Sequence, residues 1–188
     1  MRNFYIADTH FGHRNCIKFD SRPFETIEEM DEEIIKRWNS VVTKEDHVYI
    51  LGDFAFRNGR DVSSYANAIK GHLHLIYGNH DKRTEHYASC FETADDIKLI
   101  EDAVFGQKRG VVLCHYWIPF VAGQRYGGYM LHGHTHASKE YVLEEKMKQD
   151  IRDNDIRCEA FNVGCMFQEY YPQTLEQIIK RQDREVVI

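Results

Sequence analysis

The sequence has no surplus of positive charge. Its 24 Lys and Arg are outnumbered by 30 Asp and Glu, a net charge of −6. That excludes a protein that grips long nucleic acid through its bulk field, because such binding needs clustered cations; a nucleotide held locally stays open. No apolar run approaches the ~20 residues of a membrane span, so no membrane partner is expected. The opening MRNFYIADTH has neither the apolar stretch nor the cleavage site of a signal peptide. The five cysteines (16, 90, 114, 158 and 165) are odd in number and contain no CxxC pair. This fits reduced thiols in a cytoplasmic compartment better than a disulfide framework or a zinc ribbon. Internal repeats, low-complexity tracts and linkers are absent too, and 188 residues is one domain's length. The chain is therefore read as a single domain over 1–188. With 43% apolar and 13% aromatic residues it has the material for a packed core.

What it has in excess is histidine, eleven in all. Histidine is the commonest metal ligand and the usual acid–base residue, so the places where histidines gather matter. Short apolar runs at about 2–7, 47–51, 72–77, 97–100, 111–114, 129–132 and 160–163 read as strands. Thr26-x-x-Glu29 reads as a capping box. Behind it, Ile27, Met30, Ile34, Ile35 and Trp38 fall at helical spacing, predicting an amphipathic helix to about Ser40. Further helices are expected at about 62–69, 83–90 and 175–180. The 139–159 stretch carries 12 charged residues in 21, with Leu143, Met147 and Ile151 at i, i+4. It is read as a solvated surface helix, with a lid or oligomer contact as the lesser alternative. The pattern is α/β, two sheets with helices outside.

The first three strands each end in metal-capable residues: Asp8 and His10, then Asp53, then Asn79 and His80. Ligands in α/β folds gather at the carboxyl ends of strands, so these ends are expected to share one site. Asp8 and His10, like His134 and His136, are two apart, and in an extended segment such pairs point to one face. Gly52, Gly78 and Gly133 precede ligand candidates, where the backbone must approach closely. Taken alone, Asp8-x-His10 would be a polar strand end and Asn79 a turn residue; their company argues otherwise.

In order along the chain stand Asp8-x-His10, Gly52-Asp53, Gly78-Asn79-His80-Asp81, a lone His115 after a strand, and Gly133-His134-Thr135-His136. This set resembles the calcineurin-like metallophosphoesterase superfamily, with Asn162-Val163-Gly164 similar to its closing segment. The DTHFGH and LGDFAF details resemble small prokaryotic or phage phosphoesterases of unassigned substrate. The resemblance implies a four-layer α-β-β-α sandwich and two divalent metal ions. It implies that Asp8, His10, Asp53 and His136 hold one ion, that Asp53 bridges, and that Asn79, His115 and His134 complete the second. Carboxylate, amide and imidazole donors suit Mn²⁺ best, with Fe or Zn²⁺ as alternatives. It further implies hydrolysis of a phosphate ester by a bridging hydroxide, with His80 as the catalytic residue at the leaving oxygen.

One departure matters. Protein phosphatases of this superfamily read GDxxDRG, and here Phe56 replaces the acid that orients the catalytic histidine. Either another group orients His80, with Asp81 the candidate, or the acid role of His80 is weaker. Arg57 is kept as a substrate-phosphate donor or a solvated loop arginine. His13 is assigned to the substrate loop or to support behind the ligands, and His132 to structure. His47, His72, His74 and His86 are read as structural or surface, Cys114 as core, and Trp117, Pro119 and Phe120 as core or pocket wall. The leading expectation is a phosphodiesterase acting on a nucleotide or other small phosphodiester. A broad phosphomonoesterase is the enzyme alternative. A non-catalytic scaffold of the same fold and a mononuclear zinc hydrolase are the rivals from other classes.

Overall fold

The structure is a computed structural model that describes residues 1–56 and 60–185. Its first sheet is wholly parallel. Strands β1 (Asn3–Ile6), β2 (His47–Leu51), β3 (His72–Ile76) and β4 (Thr93–Asp95) lie side by side in that order. The intervening crossovers carry helices α1 (Arg14–Phe19), α2 (Ile27–Val41), α3 (Val62–Ala66) and α4 (Glu85–Ala88). The second sheet runs β5 (Ile97–Val104), β6 (Gln107–Cys114), β7 (Tyr129–His132) and β8 (Ala160–Asn162). In it the β5–β6 pair alone is antiparallel. Helix α5 (Lys139–Asp153) joins β7 to β8, and α6 (Leu175–Glu185) follows.

Strand alternation builds the layers. Phe4, Ile6, Val48, Ile50, Leu73 and Leu75 face α2 and α3, where Met30, Ile34, Trp38 and Tyr65 are buried against them. The alternate residues Tyr5, Ala7, Tyr49, Leu51 and Ile76 face the second sheet and meet Val111, Leu113, Leu131 and Phe161. Leu175 and Ile178 of α6 also join this middle layer. The far face of the second sheet, Val112, Cys114, Met130 and Ala160, packs with Trp117 and with Ile151 of α5. The result is a four-layer α-β-β-α sandwich.

Several boundaries differ from the sequence expectation. The strands expected at 97–100 and 111–114 run on into one hairpin, closed by Phe105 (φ 48°) and Gly106 (φ 77°) between the paired Val104 and Gln107. Positive φ at both positions is what a two-residue hairpin turn requires. The strands' outer halves are polar, so periodicity in apolar residues could not reveal them. Helix α1 and strand β4 were not expected; they have six and three residues, too short for a periodic signal. Thr26 caps α2 by accepting from the Glu29 N–H, while the Glu29 carboxylate accepts from Glu25 N–H rather than from Thr26.

The 139–159 segment needs the largest correction. Leu143 and Met147, the expected apolar stripe, stand largely in solvent, and α5 docks instead through buried Glu144 and Lys148. Lys148 Nζ lies 2.6 Å from Glu144 Oε1 and 3.0 Å from His132 Nε2. A buried ion pair of this kind holds only when each charge is matched, and the imidazole of His132 completes the match.

Candidate metal centre

Because β1 to β3 and β6 to β8 run parallel within their sheets, their carboxyl ends present loops on common edges. The two edges meet where the β1 chain leaves its sheet: Ala7 N–H donates to Val163 O (2.8 Å) and Ala7 O accepts from Cys165 N–H. There Asp8 and His10 follow β1, Asp53 follows β2, Asn79 and His80 follow β3, His115 follows β6, and His134 and His136 follow β7. Ten described non-glycine residues have positive φ, and Asp8, His10, Asp53, His134 and His136 are five of them. Such backbone costs about 1–3 kcal/mol per residue and gathers at functional sites. It also corrects one premise. Asp8 and His10 do not converge as i and i+2 of an extended strand; each turns through the left-handed region. His134 and His136 do the same and diverge, His136 towards His10 and His134 towards His115.

One carboxylate stands at the middle. Asp53 Oδ2 lies 3.6 Å from His10 Nε2 and 3.6 Å from His115 Nε2. On the first side, donor atoms of Asp8, His10, Asp53 and His136 all lie within 4.8 Å of one another. His136 Nε2 is 3.5 Å from Asp8 Oδ1 and 3.3 Å from His10 Nε2. On the other side, His115 Nε2 is 3.1 Å from Asn79 Oδ1, and the His134 ring sits 5.1 Å from that of His115. Most of these spacings exceed a good hydrogen bond. They match the separation of donors that share a cation at about 2.0–2.2 Å. The residues present fit divalent ions.

Electrostatics follow from burial and charge. Burial pulls the His10 imidazole down to about 3 against the opposing pull of Asp8, so it is neutral. Burial, with help from Asp8, raises the Asp53 carboxyl to about 6 against His115. Burial would also raise Asp8, but the hydrogen bond to His136 and the charges of His115 and His136 bring it to about 2. His136 is lowered by burial, yet its bonds to Asp20 and Asp8 carry it to about 10. A cation held by Asp8 and His136 would take the place of that proton.

The supporting shell is as specific as the donors. Gly78 and Gly133 lack a Cβ for a concrete reason. A Cβ on Gly78 would lie 2.2 Å from Asp53 Oδ1, and one on Gly133 would lie 2.4 Å from Asp8 Oδ2. Asp81 is buried and accepts from the N–H groups of Asp53 (2.8 Å), Phe54 (3.0 Å) and Gly78 (2.8 Å), and from Tyr87 O–H (2.6 Å). Its carboxylate is thus consumed by the loops, which corrects the expectation that it orients His80. The His80 N–H donates to Asp53 Oδ1 (2.8 Å), and its exposed ring packs near His10 and Phe56, with centroids at 5.5 and 5.8 Å.

His13 stacks flat on Phe56 (3.8 Å between centroids) with its ring 5.3 Å from that of His10, at the mouth and outside the donor cluster. Arg57 lies outside the described residues. Trp117 packs behind the second sheet, and Phe120 points into solvent, so neither walls the site. Tyr116 takes that place, its ring 4.6 Å from that of His134.

Sequence reasoning missed Asp20 and Arg22. Asp20 Oδ1 accepts from His136 Nδ1 (2.7 Å), and buried Arg22 pairs with Asp20 (2.8 Å) while donating to the carbonyls of Asp8 (2.9 Å) and Thr9 (3.0 Å). A carboxylate behind a histidine fixes its tautomer and orientation. No motif or periodicity flags the pair; an Asp and an Arg beside Pro23 read as an ordinary loop.

Known proteins share this arrangement of sequence and fold. An uncharacterized protein of Methanocaldococcus jannaschii is 31% identical over all of this chain and 96% of its own. The gene 66 protein of Mycobacterium phage L5 is 28% identical over 71% of this chain and 76% of its own. A crystal structure of a protein of unknown function from Aquifex aeolicus superposes with a TM-score of 0.71 at 26% identity, covering 95% of this chain and 97% of the other. Residues 1–169 match the family model of the calcineurin-like phosphoesterase superfamily domain. By that match, over most of its length, the chain belongs to the calcineurin-like phosphoesterase superfamily.

Proposed function

We propose that this chain acts as one domain, residues 1–188, and is a dinuclear metal-dependent phosphodiesterase acting on a nucleotide or another small phosphodiester. The observation that carries the reading is Asp53, equidistant at 3.6 Å from His10 and His115. A single carboxylate between two donor sets suits two ions better than one. Asp8, His10, Asp53 and His136 would hold one ion, and Asp53, Asn79, His115 and His134 the other. The mixed oxygen and nitrogen set favours Mn²⁺, with Fe or Zn²⁺ as alternatives. Bound divalent ions supply charge neutralisation on the phosphate and a water acidic enough to attack near neutral pH.

The chain's own groups do the rest. His80 is fixed through its backbone to the central carboxylate and presents an exposed imidazole next to it. It is the residue that delivers a proton to the leaving oxygen. Beside Asn79 opens a cleft of about 740 Å³ whose lining includes Tyr77, Lys82, Arg83 and Tyr116. That volume suits a nucleotide-sized ligand. Tyr116 offers a ring face for a base and Lys82 a cation for phosphate oxygens, while Arg83 lies over Tyr77 and is paired with Asp96. The phosphodiester preference draws on this cleft and on Phe56 standing where protein phosphatases carry an acid.

The test is initial rates with Mn²⁺ on bis-p-nitrophenyl phosphate and p-nitrophenyl phosphate, alongside metal stoichiometry. Two ions per chain and preference for the diester are expected, with His80→Ala lowering turnover by about 10²–10⁴-fold. Preference for the monoester would move the reading to a phosphomonoesterase. Fewer than one tightly bound ion per chain would sink the dinuclear reading in favour of a scaffold.

A further inference from the structure

Three histidines gather away from the rim that carries the candidate metal centre, in the amino-terminal parts of β2 and β3. The register pairs His47 with His72 and Tyr49 with His74 across β2 and β3. Strand alternation therefore sets His47, His72 and His74 on one face, the face of Tyr49. The start of β4 adds Glu92, whose N–H donates to Leu73 O (2.8 Å). His74 Nε2 lies 2.9 Å from His47 Nδ1 and 4.0 Å from Glu92 Oε2, and the three donor atoms all fall within 4.8 Å of one another.

We propose that His47, His74 and Glu92 form a separate divalent transition-metal site, of the kind that takes Zn²⁺, at the end of the molecule opposite the rim.

Four features support it. Two imidazoles and one carboxylate, with a further position open, are a donor set that zinc takes in proteins. Donors around tetrahedral zinc stand roughly 3.3–3.5 Å apart, a geometric consequence of bonds near 2.0–2.2 Å, so the His47–His74 pair, hydrogen-bonded at 2.9 Å, would open and Glu92 would close in from 4.0 Å, each by about 0.5 Å. Outer partners aim the ligands as they do at metal sites. His74 Nδ1 lies 3.2 Å from Thr93 Oγ1, and with a proton on that nitrogen Nε2 keeps its lone pair for a cation. The other oxygen of Glu92 is bonded to His72 Nδ1. Finally, the Tyr49 ring stacks on His74 at 4.8 Å and floors the site, while half-exposed Glu92 leaves a path in from solvent. The nearest cation, Lys98, is engaged with Asp95 and Thr93.

His47 opens β2 and Leu51 closes it, about 13 Å further on at the rise of a strand, with Asp53 beyond, so this site shares no donor with the rim. It does not rest on the phosphoesterase reading. It differs in preference as well, since nitrogen-rich sites favour Zn²⁺ over Mn²⁺. Its effect is to tie β2, β3 and β4 together.

The experiment uses the full chain carrying Asp8→Asn and Asp53→Asn, which disable the rim. Zinc titration by calorimetry is expected to show one ion per chain, and zinc is expected to raise the melting temperature. Adding His47→Gln and Glu92→Gln, both at positions open to solvent, is expected to weaken that binding by at least roughly tenfold. His74→Gln should abolish it, with circular dichroism reporting that the chain is folded. No zinc bound by the rim-disabled chain would overturn the proposal. So would zinc binding indifferent to the His47 and Glu92 substitutions, which would place the ion on leftover rim histidines.

Discussion

Asp81 and Asp20 both stand behind the candidate metal centre, yet they grip different kinds of atom. Asp81 holds three backbone N–H groups and one phenol, and so fixes the path of the loops that carry Asp53 and Asn79. Asp20 holds one imidazole nitrogen, and so fixes the aim of His136. The contrast extends to their neighbours. The carboxylates Asp8 and Asp53 are placed by main chain in left-handed conformation, which His134 and His136 share, and also by Gly133 and Gly78, which leave them no room to shift. Among the nitrogen donors of the second sheet, His115 is aimed by Leu51 O at 2.8 Å and His136 by Asp20. A half built from backbone cannot adjust to a wrong residue, whereas a half aimed by side chains can lose one aiming bond and keep its ligands.

The sharpest test of that contrast is Asp81→Ala. It orphans three buried N–H groups and a tyrosine hydroxyl. At roughly 1–3 kcal/mol per unsatisfied group, a loss of at least about 3 kcal/mol is expected in urea denaturation. A near-wild-type midpoint would break the comparison outright. Gly78→Ala comes next. Its Cβ must displace the Asp53 carboxylate, and a misplacement near 1 Å costs on the order of 100-fold in turnover. The measurement is kcat on the preferred ester at saturating Mn²⁺, and extra metal should not restore it. Asp20→Asn should be milder, a loss of about tenfold in metal affinity, with turnover recovered by added Mn²⁺. If Asp20→Asn cannot be rescued while Gly78→Ala can, the two halves have been assigned the wrong way round.

A separate effect lies under α5. Thr135 in the second-sheet loop donates to Glu144 Oε2 (3.1 Å). Burial pushes the Glu144 carboxyl up, but His132 and Lys148 outweigh it and hold it at about 2 rather than 4.5. A carboxyl depressed in the folded state contributes stability above its unfolded value that is lost as pH falls. Melting temperature should therefore decline between about pH 4.5 and pH 2, and Lys148→Met should flatten that decline.

The candidate donors that meet at this edge stand out in the sequence because each follows a strand-like run and all but His115 lie within two residues of a glycine or another candidate. The layers were legible because apolar residues at 4, 6, 48, 50, 73 and 75 alternate with those at 5, 7, 49, 51 and 76. What stayed hidden depends on distance in sequence or on polarity. Asp20 finds His136 across 116 residues. Glu144 and Lys148 are buried although their types predict solvent, because His132 faces them from β7. Tyr116 was passed over beside the larger Trp117, since only the loop's direction after His115 decides which ring meets His134.

The hydrogen bonds of Ala7 to Val163 and Cys165 also bear on how the chain comes together in time. They close across 156 and 158 residues. A ribosome that has released the first sheet has delivered Asp8, His10, Asp53, Asn79 and His80, but not the strand edge against which the β1 exit is seated. Contacts so far apart form late, because the entropy of closing the intervening loop comes due first. Four of the seven candidate donors therefore leave the ribosome before the other three, and the seat of the β1 exit is closed only when the segment after β8 arrives.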